Sequence, residues 1–240
     1  MEYIHNTEQF QFHNTVVALG KFDGMHKGHQ LIFDELIQYK QLGYQAAVFS
    51  FDRPPLNMLK HKHMRVIYTT NEKIKLLARR GIDIYIEHPF TDEFSHLSPE
   101  DFVIKVLLEK TGMKVLVVGD DCGFGYKRQG NVELLERMSK EYDFKLIVIP
   151  KLELEGEIVS STRIRHLLSE GKVEEANRLM EDPFMICGSV VHGNHMGAEV
   201  LQMPTANQIP LEDKLLPPNG VYVSRIHYNC LLYTSDAADE

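Results

Sequence analysis

The stretch GKFDGMHKGHQ, residues 20–30, decides how the chain is read. It places three glycines and two histidines directly after the apolar run TVVAL, residues 15–19, and overlaps the start of QLIFDELI, residues 30–37. The first run reads as a short buried strand, and Leu31, Ile32, Phe33 and Leu36 fall at roughly helical spacing. The stretch is therefore a strand-to-helix turn. Glycines in such a turn let the backbone approach a ligand, and the helix start offers unpaired N–H groups and a partial positive charge, which together make an anion site. The Walker pattern GxxxxGK followed by Ser or Thr is absent, so no P-loop lysine holds the phosphates. His26 and His29, three apart, fall on one side of the first turn, where their N–H groups can donate to phosphate oxygens as charge grows in a transition state. Gly28 between them leaves room for a flat ring to pack on the backbone. The plain alternative for such a pair is a cap or surface decoration. Zinc would need a third ligand, and nothing nearby matches HExxH. Gly20, Gly24 and Gly28 at one strand end favour phosphate handling.

Outward from the turn, apolar runs recur at residues 16–19, 46–51, 82–86, 115–118 and 146–149, with helical spacing at 71–80, 99–111 and 131–141 between them. This alternation predicts βαβ units and a parallel sheet with helices on both faces. Two breaks interrupt it. Residues 52–68 carry Pro54, Pro55 and several basic residues and read as a loop over the carboxyl edge of the sheet. Residues 119–130 hold four glycines in twelve positions, more than a plain connection needs. Such a loop approaches a ligand or simply turns; the sheet class, which binds at its carboxyl edge, favours the ligand. After Ser160 the pattern turns helical, over 161–169 and 172–180, until Pro183. We expect one unit over residues 1–183 and a mostly β unit over 184–240, with strands at 185–191 and 221–227.

The 240 residues carry a net charge of −8, which disfavours a broad basic surface for nucleic acid. The three cysteines form no CxxC pair, so neither a disulfide framework nor a zinc knuckle is indicated. No signal-like N-terminus and no span-length apolar run is present, and a cytoplasmic protein without membrane or nucleic-acid partners is expected. Oligomeric state is open at this stage.

The segment SSTRIR, residues 160–165, sets three hydroxyls and two guanidiniums where a helix begins. Ser160 or Ser161 can cap that helix, and capping needs only one hydroxyl. Arg163 and Arg165 near a helix start oppose the macrodipole preference for acidic residues, which makes sense where an anion binds.

Taken in order, GxFDGxHxGHQ, the glycine-rich loop from Gly119, SSTRIR and PTAN at residues 204–207 resemble the bacterial bifunctional riboflavin kinase/FAD synthetase family. The resemblance implies a Rossmann-like nucleotidyltransferase domain with a parallel sheet, followed by an incomplete, riboflavin kinase-like β-barrel segment. It implies transfer of AMP from ATP to FMN, giving FAD and pyrophosphate with Mg²⁺. His26 and His29 would contact the ATP phosphates, Gly28 would pack by the adenine, and Ser161, Thr162 and Arg165 would hold the triphosphate, with His26, His29 and Arg165 carrying the catalysis. Gly20, Phe22 and Asp23 complete the ATP motif, without an individual role for Asp23. Flavin contacts correspond to the region of Pro54, Pro55 and Asn57 and to Asp121, Phe124 and Gly125. The family often has a Pro-His-Pro-like element where this chain reads DRPP, residues 52–55. Thr205 and Asn207 match the kinase ATP and Mg²⁺ positions. A kinase barrel needs roughly twice the length left after Pro183, so the resemblance leads us to expect a truncated kinase half, about ten foreign or frame-shifted residues at the end, and lost kinase activity. The alternatives are an HxGH-type nucleotidyltransferase with another phosphorylated acceptor, a non-catalytic flavin or nucleotide binder and, more distantly, a zinc hydrolase.

Overall fold

In the computed structural model, residues 1–52, 65–191, 207–228 and 231–235 are described. Their centre is a six-stranded, all-parallel sheet. Its strands are β1 (Glu2–His5), β2 (Thr15–Leu19), β3 (Gln45–Phe51), β4 (Ile84–His88), β5 (Met113–Gly119) and β6 (Lys145–Ile149). They lie in the order β1-β4-β3-β2-β5-β6. Leaving aside β1, this is the doubly wound order in which β2 has a neighbour from each half of the sheet, so the crevice for a ligand opens at its carboxyl end. Every residue of β2 is buried, the mark of a strand covered on both faces.

Helices cover the two faces: α1 (Lys27–Gln41), α2 (Thr70–Arg79), α3 (Pro99–Asp101, continuing as the π-wound Phe102–Lys110), α4 (Val132–Glu141), α5 (Ser161–Ser169) and α6 (Val173–Leu179). One core packs α1, α2, α5 and α6 on one side, around Phe33, Leu36, Leu77, Ile164 and Leu168. The other packs α3 and α4 on the opposite side, around Phe49, Phe102, Leu116 and Leu135. The α1 stripe is Ile32, Phe33 and Leu36, while Leu31 is 39% exposed and faces away from it.

Two strand features depart from the pattern expected of the sequence. The strand expected at 82–86 is β4 and lies at Ile84–His88, because Ile82 ends the turn after α2 with its amide bonded to the Leu77 carbonyl. Strand β1 was not expected: its short EYIH sequence carries no apolar alternation, and it is held by pairing with β4 from Glu2↔Ile84 to His5↔Glu87. Beyond β6 lie a small hairpin, β7 (Glu153–Leu154) with β8 (Glu157–Ile158), and then two separate antiparallel pairs, β9 (Gly188–Val191) with β10 (Asn207–Pro210) and β11 (Ser224–Tyr228) with β12 (Leu231–Ser235).

Candidate active site at the histidine turn

The turn after β2 is shaped by rings lying on glycines. A Cβ at Gly20 would sit 2.8 Å from Phe22 Cζ, and one at Gly28 would sit 3.2 Å from His26 Nδ1. Phe22 and Met25 both hold positive φ, 49° and 34°, a conformation L-residues adopt at a cost and keep where the surroundings impose it. The Phe22 ring meets His29 edge-on at 5.2 Å and Phe33 at 5.1 Å, so it fastens the turn to the core.

His26 is the N-cap of α1 rather than part of its first turn. Its Nδ1 accepts from the His29 amide at 3.3 Å, which leaves the proton of the neutral ring on Nε2 as a donor. The His26 and His29 rings stack at 3.6 Å. Burial pulls the His26 pKa down to about 4, with the nearby Asp121 carboxylate opposing. His29 is held well below the usual histidine value by burial and by His26. Both rings are therefore neutral near pH 7. Among the described residues, His29 Nδ1 is buried without a hydrogen-bond partner.

Asp23 ties the turn to two other segments. Its Oδ1 accepts from the amides of Ile67 and Tyr68 at 3.0 and 3.1 Å. Its Oδ2 pairs with the Arg165 guanidinium, and its backbone carbonyl accepts from the Ser161 hydroxyl. Arg165 also donates to the Arg65 carbonyl. The choice of cap on α5 is settled here: Ser160 accepts from the Arg163 amide at 3.2 Å, which frees Ser161 to reach the turn. Thr162 is exposed on the first turn of α5. Arg163 pairs instead with Glu157 at 3.0 Å.

Across the crevice, the loop after β5 presents Asp121, which pairs with Lys151 at 3.3 Å. Phe124 is buried at 5% exposure and packs on Phe102 at 5.8 Å, and Gly125 at φ 67° lies against Pro99, so these two hold the loop to α3. Pro54, Pro55, Asn57 and Thr205 lie outside the described residues. Asn207 begins β10, exposed and paired with Val191, in a sheet separate from the six-stranded one.

Sequence reading passed over Lys21 and Arg128. The Lys21 ammonium is pulled below its usual value by partial burial and by the Arg128 and Arg165 guanidiniums, with Asp23 opposing. Lys21 thus lies in the field of two guanidiniums opposed by one carboxylate, a surplus of positive charge that a bound polyanion relieves. No pattern in the sequence marks Lys21, a lone lysine between Gly20 and Phe22, or Arg128, which lies over a hundred positions away.

The FAD synthetase family model matches residues 8–163, and the riboflavin kinase family model matches residues 180–234. The chain belongs to the bifunctional riboflavin kinase/FMN adenylyltransferase family. Its similarity to the family protein of Buchnera aphidicola subsp. Schizaphis graminum is 38% identity over 226 residues, covering 93% of this chain and 72% of that protein. The Listeria monocytogenes protein of the same name is 35% identical, covering 95% of this chain and 73% of that one. The corresponding figures for the Escherichia coli K12 protein are 32%, 93% and 71%. A crystal structure described as a macrolide-efflux protein from Streptococcus pneumoniae superposes with a TM-score of 0.84 at 30% identity, covering 97% of this chain and 76% of that one. Among the described residues of this family member, no helix is long and apolar enough to cross a membrane.

Proposed function

We propose that this chain transfers AMP from ATP to FMN, releasing pyrophosphate and FAD, and that the histidine turn is where the triphosphate binds. The observation that carries the reading is the stacked, neutral His26–His29 pair at the start of α1, in the same turn as Asp23 with its Arg165 partner, at the carboxyl end of β2. An FMN phosphate oxygen attacks the α-phosphorus in line, a P–O bond forms to FMN, and the bond to the β-phosphate oxygen breaks as pyrophosphate leaves. No protein nucleophile is needed, so the residues act by positioning and by stabilising charge. Neutral His26 suits that task, because its Nε2–H donates while its Nδ1 keeps the His29 amide. Arg165, aligned by Asp23, supplies charge beside the same turn.

Among the described residues no group of three His, Cys, Asp or Glu side chains is placed to hold a metal ion. Mg²⁺ would arrive on ATP with most of its ligands from phosphate and water, as is usual for this ion. The described strands of the riboflavin kinase-like segment form two separate antiparallel pairs, β9 with β10 and β11 with β12. A cytoplasmic setting, where ATP and flavins are available, agrees with this reading.

The test is incubation of the purified chain with ATP, Mg²⁺ and either FMN or riboflavin, followed by chromatographic separation of the flavins. FAD from FMN is the expected result. FMN formed from riboflavin would show a working kinase site. Pyrophosphate release without FAD, with another phosphorylated acceptor, would identify a sister transferase.

A further inference from the structure

The riboflavin kinase-like segment sends one side chain into the other unit. Lys214 is 1% exposed, although it falls beyond Pro183 in sequence. Its Nζ donates to the Ile67 carbonyl at 2.5 Å, to the Met185 carbonyl at 2.7 Å and to Glu72 Oε2 at 2.7 Å. It also lies over the rings of Tyr68 and Phe184, at 5.1 and 4.5 Å. The backbone around it pairs as well: the Val66 amide donates to Asp213 and the Leu215 amide to Val66, each at 2.7 Å. Thus one short segment, residues 65–68, is held from two sides. One side is the 213–215 backbone with the Lys214 ammonium. The other is Asp23, through the Ile67 and Tyr68 amides, and Arg165, through the Arg65 carbonyl.

A lysine seldom goes fully buried without a structural reason, and here all three Nζ donors are satisfied. The Ile67–Tyr68 peptide accepts from Lys214 at its carbonyl and donates its Tyr68 N–H to Asp23, the carboxylate that aligns Arg165. We propose that Lys214 is a positioning residue for nucleotide binding: it fixes segment 65–68, hence Asp23 and Arg165, and so makes the kinase-like segment a working part of the ATP site. The inference rests on the assignment of ATP to the histidine turn, but not on FMN being the acceptor.

The test reads affinity for a non-hydrolysable ATP analogue by calorimetry, using the full chain and the variants Lys214→Met and Lys214→Met/Glu72→Gln. The double variant removes both buried charges together, so neither is left unpaired inside, while it lacks the bond to Ile67. Both variants should bind the analogue about ten-fold more weakly, with wild-type circular dichroism for the double variant and, where FAD forms, a raised KM for ATP at little-changed kcat. Wild-type affinity in a folded double variant would overturn the proposal and leave Lys214 a purely structural residue. If neither variant folds, hydrogen exchange on the wild-type chain decides: analogue binding should protect the Leu215 amide together with those of Ile67 and Tyr68, and protection that stops at Tyr68 would overturn it. A wild-type chain that binds the analogue but makes no FAD would remove the FMN reading alone. One that binds no analogue would remove both.

Discussion

At the scale of single residues, the histidine turn works because two rings stay neutral inside a charged neighbourhood. The His26 pKa of about 4 lies below the ~6.5 of an unfolded histidine, so as pH falls the unfolded chain takes up its proton first. Stability is therefore complete above about pH 6.5 and is lost as pH falls toward 4, by roughly 3 kcal/mol from this group. A urea midpoint at pH 7.5 should exceed that at pH 5, and His26→Gln should narrow the difference, leaving the part that His29 contributes. Replacing His29 by Ala should lower kcat/KM for FAD formation about 10²- to 10³-fold, the usual loss for one donor to a charged transition state, with the far-ultraviolet spectrum unchanged. A loss under three-fold would assign His29 to packing against Phe22 and His26.

Among the elements, α5 shows how adjacent serines divide two tasks. Ser160 caps the helix and Ser161 reaches the Asp23 carbonyl. Ser160→Ala should cost about 1 kcal/mol of stability, read as a lower denaturation midpoint, with catalysis near wild type. Ser161→Ala should show the reverse emphasis, a higher KM for ATP at similar stability. The two results exchanged would assign the cap to Ser161. In the sequence the two hydroxyls are equivalent, since either can precede the apolar spacing of Ile164 and Leu168. Only the path of the chain out of β8 decides which one faces the helix amides.

Across the whole molecule, the Lys214–Glu72 pair joins parts of the chain 142 positions apart, with both side chains wholly buried. Lys214→Ala leaves the Glu72 carboxylate buried without its cation and should cost about 3 to 5 kcal/mol. The Thr69 and Cys187 amides still bond Glu72, at 2.8 and 2.7 Å, which favours the lower end. Removing both charges in Lys214→Met/Glu72→Gln should recover most of that loss. Urea denaturation of the three chains measures it, and equal midpoints for the single and double variants would contradict the account.

By itself, the sequence determined the parallel sheet, the strand-to-helix turn at residues 20–30 and the family, because buried parallel strands are apolar runs and a phosphate turn needs glycines at close spacing. Strand β1 was hidden, since a short polar edge strand is made by its neighbour and not by its own pattern. The tertiary structure alone decided that His26 is a cap, that Asp23 joins Arg165 to residues 67 and 68, and that Lys21 lies in the field of Arg128 and Arg165. It alone brought Lys214 to the Ile67 carbonyl. Those facts depend on segments remote in sequence meeting at the carboxyl edge of one sheet, and no local periodicity records where a long-range hydrogen bond or ion pair closes.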